Sequence, residues 1–295
     1  MKRGGLLLAL VLFVPLRADA YTHVARPGET LAQIAEAAYG DARRETVLVG
    51  ANALDVRGGS QVAPGMRLEI PAPTFIRAGR GDTWPDLALL WLGHKDRAAT
   101  LARANDAVPW VPPAEGREII VPAVIAHIAG ENEDIVSIAK RYLTETKKAW
   151  ELNVYNLREG TEVKPGEIVL VPIVDLQLSE KGKEEARRAG LAALSEGGGT
   201  SFQAQKRAEG ELPLLLADVR GGRYVDVITR GNTLLTLGDL AKPQLASIYR
   251  ALVEAYVALD AYGAASAACK AWKLQGGSNL EPRWTSPKIV SACSR

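Results

Sequence analysis

The chain has 295 residues, enough for two to four domains. Hydrophobic residues make up 47% and charged residues 24%, and 36 Lys+Arg against 34 Asp+Glu leave a net charge of +2. That balance excludes the clustered basic excess of a nucleic-acid binder.

Residues 1–20 read as an export signal. Lys2 and Arg3 supply a positive start, residues 5–16 a short apolar run, and Ala18-Asp19-Ala20 an A-x-A cleavage site. The run is too short to span a bilayer comfortably, and no Cys follows the expected cut to carry a lipid. An uncleaved anchor is the alternative. The mature chain is expected to begin at Tyr21 and to work in the periplasm or outside the cell. No later stretch is apolar enough for a membrane span.

Residues 21–73 form a first unit. A short strand over 21–26 ends at Pro27-Gly28. Thr30 and Gln33 are spaced as a capping box, and Leu31, Ile34, Ala35 and Ala38 then follow at helical spacing. Tyr39-Gly40-Asp41 ends that helix, and residues 45–52 predict a second, with Val47 and Val49 available to pack. Gly58-Gly59 and Pro64-Gly65 lead into a strand in which Leu68 and Ile70 alternate with Arg67 and Glu69.

Residues 74–124 repeat this pattern 53 positions on: Gly28 matches Gly81, Thr30 matches Thr83, Gly40 matches Gly93, and Asn52 matches Asn105. Pro85 suits a first helical turn, where its missing N–H would be unpaired anyway. Residues 125–174 are a third copy, with Asn132, Glu133, Asp134 and Ile135 at the strand–helix loop and Asn153 near the end of the second helix. Pro165-Gly166 and the strand 168–172 close it.

Residues 179–295 change texture. Residues 180–194 are a charged, Ala-rich helix pattern, 196–201 a turn or short linker, and from Leu212 the pattern is helical to the end. Leu252, Tyr256, Asp260, Tyr262 and Ala265 fall on an L-x3-Y-x3-G-x-Y-x2-A spacing with Asp for Gly, and Gly222 and Tyr224 stand 38 residues before Asp260 and Tyr262. This resembles a tetratricopeptide helix pair; a plain all-helical bundle is the alternative. The two cysteines, Cys269 and Cys293, form a disulfide or remain two buried thiols.

The first copy, with Gly28-Glu29-Thr30-Leu31, Ile34-Ala35, Tyr39-Gly40, Asn52, Pro64-Gly65 and Ile70-Pro71, closely resembles the LysM (lysin motif) module. The second has Trp84 where Leu is usual and Glu115-Gly116 where Pro-Gly is usual, the third has Asn132 and Asp134 in place of the Gly and Thr, and the resemblance covers residues 21–174. The implied architecture is α+β: three tandem βααβ modules (21–73, 74–124, 125–174), then an all-α repeat-like domain (179–295). The resemblance implies binding of N-acetylglucosamine-containing glycan, chiefly peptidoglycan, in a shallow groove between the first strand–helix loop and the loop after the second helix. Carried onto this chain, the first groove is Gly28, Glu29, Thr30 and Leu31, with Asn52, Ala53 and Leu54 opposite. The second is Gly81, Asp82, Thr83 and Trp84, with Asn105 and Asp106. Glu133, Asp134, Ile135 and Asn153 hold these positions in the third. Helix capping alone also accounts for Thr30, Thr83 and Asp134.

No catalytic set emerges. His23, His94 and His127 fall at strand and loop positions without metal-ligand spacing, and no His follows His127 to pair with either Cys. Glu254 and Asp260 lack a glycosidase context. The expected protein is therefore non-catalytic and free of cofactor or metal, with a protein partner for its helical half. An assembly factor whose modules are spacers is the alternative, and a peptidoglycan hydrolase a weaker one.

Overall fold

Alternation in the strand sequences decides which side chains meet, and the pairing follows it. The computed structural model describes residues 20–54, 62–143, 148–189, 199–277 and 285–294. The expected signal sequence up to residue 19, Gly58-Gly59, the expected start at Thr146 of a second helix over 146–153 in the third unit, and the 196–198 turn lie outside the described residues.

In the first unit, β1 (Ala20–Val24) pairs antiparallel with β2 (Arg67–Pro71), so that Tyr21 faces Ile70 and His23 faces Leu68. Between them run α1 (Leu31–Tyr39) and α2 (Glu45–Ala51). Leu68, Ile70, Ile34, Ala35, Ala38 and Leu48 bury together beneath the sheet. Thr30 and Gln33 make the expected reciprocal cap, and Gly40 ends α1 at φ 73°.

The second unit repeats the order with β3 (Thr74–Arg77), α3 (Trp84–Leu92), α4 (Ala98–Ala104) and β4 (Glu118–Val121). The third has β5 (Ala123–Ile128), α5 (Ile135–Leu143), α6 (Ala149–Tyr155) and β6 (Ile168–Ile173). Each sheet is a two-stranded antiparallel pair. The protein is thus α+β, with small antiparallel sheets and helices.

The units are not independent beads. Val47 of α2 buries in the core of the third unit, and Arg44 reaches Asp175 at 2.8 Å. Gly50 lies so close to Tyr142 that a Cβ there would come within 2.3 Å of the phenol oxygen. Tyr155 of α6 is buried in the core of the second unit, where Arg97 stacks 4.5 Å over its ring and donates from Nε to its carbonyl at 2.9 Å. Burial drives the Tyr155 phenol well above its ordinary value, and Arg97 only partly offsets this.

The region expected to be one helical domain divides. Helix α7 (Glu180–Arg188) belongs to the first unit: Leu178 and Ala186 join its core, and the Ser179 N–H donates to the Ala38 carbonyl at 2.8 Å. Gly182 permits the approach, because a Cβ there would stand 2.2 Å from the Ala38 oxygen. The remaining helices are α8 (Thr200–Arg220), α9 (Tyr224–Leu235), α10 (Lys242–Ala258), α11 (Tyr262–Leu274) and α12 (Pro287–Ser294). Thr200 and Ser201, expected in a linker, are the first residues of α8. The Phe202 N–H there donates to the Glu118 carboxylate at 2.6 Å, so a partner on the second unit satisfies the helix start. Glu118 is buried, and desolvation raises its carboxyl above the ordinary value.

Gly222 at φ 68° and Asp260 at φ 55° turn the chain before Tyr224 and Tyr262, so α8–α9 and α10–α11 form two helix hairpins in register. Asp260 adopts the left-handed conformation where a glycine is usual, and it accepts from the Tyr262 hydroxyl at 2.7 Å. A Cys269–Cys293 disulfide ties α11 to α12. Among the described residues no helix is long and apolar enough to cross a membrane.

Candidate functional site

The strand–helix loops are where the three units differ, on a scaffold that they share. An acidic side chain folds back on each loop. Glu29 accepts from the Arg26 N–H at 2.7 Å, Asp82 from Gly79 at 2.7 Å, and Glu133 from Gly130 at 2.8 Å. In the outer units a strand histidine adds to this: His23 Nε2 lies 3.0 Å from Glu29 and His127 Nε2 lies 2.8 Å from Glu133. These two histidines occupy equivalent strand positions, a regularity that aligning the first and third copies would have exposed. Glu29 and Asp82 thus frame their own loops.

Glu133 also meets Arg141. Burial acts to raise its carboxyl, but Gly130, His127 and Arg141 together hold it below its ordinary value of 4.5. A depressed carboxyl contributes stability that is present above the unfolded value and lost as pH falls through the folded one. The melting temperature should therefore fall as pH drops below about 4.5. In Glu133→Gln the gap to wild type, clear near neutrality, should close as pH approaches the folded value. Melts across that range check it; a gap constant with pH would show that the carboxylate charge is not involved.

A second scaffold element was read in sequence as a binding group. The Asn105 amide donates to the Leu101 and Ile120 carbonyls, each at 2.8 Å, and its oxygen accepts from the Ile120 N–H at 2.7 Å. Asn52 makes the same three bonds to Leu48 and Glu69, at 2.9, 2.9 and 2.7 Å. In the third unit the matching residue is Asn156, bonded to Leu152 and Leu170 at 2.8 Å, and not Asn153. Each asparagine staples the end of the second helix to the closing strand. The following residue is left-handed each time: Ala53 at φ 49°, Asp106 at φ 48° and Leu157 at φ 56°.

Burial separates the sequence-predicted residues further. Asn105 is 0% exposed and Trp84 is 1% exposed, so neither presents a face to a glycan. The Trp84 ring is core, and its Nε1–H donates to the Val111 carbonyl at 2.7 Å. Leu54 is likewise buried. Gly28, Thr30, Ala53, Gly81 and Asp106 are exposed, and Glu29, Leu31, Asp82 and Thr83 are half-buried. Asp106 forms an ion pair with Lys206 of α8, which draws the helical half to the rim of the second unit.

At the helix starts, Thr30 accepts from the Gln33 N–H at 3.2 Å, Thr83 from Asp86 at 3.3 Å, and Asp134 from Ser137 at 2.7 Å. Bonds from Ser137 lower the Asp134 carboxyl below its ordinary value. In the third unit the loop after the second helix lies on the helix start: the Ile135 N–H donates to the Thr161 carbonyl at 2.9 Å, and Asp134 bridges to Glu162. The Leu31 and Trp84 N–H groups have no such partner among the described residues. Gly28 and Gly81, at φ 80° and 86°, leave open space where a Cβ would stand. Asn132 adopts the same left-handed conformation at φ 62° and puts a side chain there in the third unit. The third helix start is thus covered by its own chain, while Gly28 and Gly81 are exposed and carry no side chain.

Among the described residues no group of His, Cys, Asp or Glu is arranged to hold a metal ion. Comparison with protein-family models finds no match, and comparison with curated proteins finds none either.

Proposed function

We propose that this is an exported, non-catalytic protein that binds N-acetylglucosamine-containing cell-wall glycan, peptidoglycan in particular, through LysM-like modules. The observation that carries the reading is the exposed glycine of the strand–helix loop in the first two units, Gly28 and Gly81. There an exposed glycine with no side chain in the way stands next to an acidic residue and a threonine, Glu29 and Thr30 in the first unit and Asp82 and Thr83 in the second. A flat acetamide needs those features: polar groups for its amide and room for close approach. Two such loops on one body would bind a polymer by effective concentration, so weak single sites suffice. The disulfide and the lack of a membrane-spanning helix among the described residues are compatible with export.

The third unit favours a different role within the same protein. Its loop is occupied by Thr161 and Glu162, and its side chains form the cores it shares with both neighbours. It acts as the spacer that orients the other two, while the helical half docks a protein partner.

Co-sedimentation of residues 21–295 with purified peptidoglycan tests this. The double variant Gly28→Asn, Gly81→Asn places in both loops the residue that the third loop already holds as Asn132 in a left-handed conformation, so the fold should survive. Wild type is expected in the pellet and the double variant in the supernatant. Wild type left in the supernatant, or an unaffected double variant, overturns the reading.

A further inference from the structure

The loop after α4 carries an indole that no part of the fold uses. Trp110 is 83% exposed, the most exposed large apolar side chain among the described residues, with Val108 and Val111 beside it in sequence. A lone exposed aromatic needs no explanation. This one is held in place. It stands at the tip of a turn closed by the Val111 N–H donating to the Val108 carbonyl at 3.0 Å, with Pro109 before it and Pro112-Pro113 after it. Proline restricts the backbone on both sides, so the turn that carries the ring has little backbone freedom left to lose. A second bond then fastens the tip to the candidate site. The Val111 carbonyl accepts from the buried Trp84 indole at 2.7 Å, and Trp84 is the first residue of α3, directly after Gly81-Asp82-Thr83. At the base of the loop Arg117 donates to the Asn105 carbonyl at 3.0 Å. One tryptophan is therefore spent on fixing the loop, and the other, one residue before the bonded Val111, is left facing solvent. In the third unit the equivalent loop folds down onto the helix start and carries no aromatic.

We propose that Trp110 is a stacking platform of the second site, receiving the apolar C–H face of a pyranose ring next to the one whose acetamide enters the Gly81–Thr83 loop. The inference rests on the glycan reading above and adds to it a second sugar position. It makes the second unit a reader of at least a disaccharide. A rigid, flat, amphipathic ring suits this ligand, because it covers the C–H face while leaving the equatorial hydroxyls in water.

The test uses the mature full chain carrying Gly28→Asn, so that binding reports the second unit, titrated with soluble N-acetylglucosamine oligomers. In that background Trp110→Ala should weaken binding about tenfold, and Trp110→Phe should retain most of it. Melting temperature should be the same in all three, because Trp110 makes no buried contact. Equal affinity for Trp110→Ala and its parent overturns the inference while leaving the glycan reading intact. So does an equal loss for Trp110→Phe and Trp110→Ala, or a parent that no longer binds while wild type does. Failure of wild type itself to bind overturns both.

Discussion

Trp84→Ala is expected to lower the free energy of unfolding by about 4 kcal/mol. Trp84 is among the largest fully buried side chains and packs in the core formed by Leu87, Leu92, Leu101 and Ile119. Truncation removes the ring, leaves a cavity that the short helices of a small unit cannot close, and leaves the Val111 carbonyl without its donor. Tyr155 of the third unit shares this core, so the loss should extend to both units and not remain local. Trp84→Phe keeps most of the volume and loses the hydrogen bond, and should cost about 1–2 kcal/mol. Urea denaturation followed by circular dichroism measures both. A small loss of stability for Trp84→Ala, with glycan binding abolished, would restore the sequence reading of Trp84 as a binding residue.

Asn105→Ala should cost about 3 kcal/mol, through polar groups rather than volume. The substitution strands the Ile120 N–H, the Ile120 carbonyl and the Leu101 carbonyl, all of which the amide now satisfies in a fully buried setting. Asn52→Ala breaks the same bonds at a half-exposed position, where water replaces part of what is lost, and should cost about half as much. Asn105→Asp keeps an acceptor for Ile120 but turns an oxygen toward two carbonyls, and should be no better than alanine. The order is the test: if Asn52→Ala proves as costly as Asn105→Ala, burial is not what gives the staple its strength.

Much of the fold was legible in the sequence. Alternation placed Leu68 and Ile70 inward, and the spacing of Thr30 and Gln33 announced a helix start that is capped as expected. The Gly222–Tyr224 and Asp260–Tyr262 pairs marked both hairpin turns of the helical half. Of the candidate site, the strand–helix loops were legible because Gly, acid and Thr report backbone conformation and capping, which are local. The opposite rim was misread. Asn and Trp are residue types that binding and packing use alike, and only burial tells the two apart. The third asparagine is Asn156 and not the expected Asn153: the 51-residue step that carries Gly81 to Asn132 carries Asn105 to Asn156, which makes the hydrogen bonds.

What the sequence by itself determined is the repeat: three strand–helix–helix–strand units, their turns and caps, and the registers that bury each apolar face. Those follow from periodicity and backbone preference within about ten residues of each position. Only the tertiary structure decided what the repeats became. It took Trp84 and Asn105 into the interior, folded Thr161 over the third helix start, docked α7 on the first unit through Gly182, and began α8 on the Glu118 carboxylate. Each of these joins residues far apart in the chain, and what settles them is the desolvation of a polar group or the volume of a facing side chain, quantities that do not exist until the units meet.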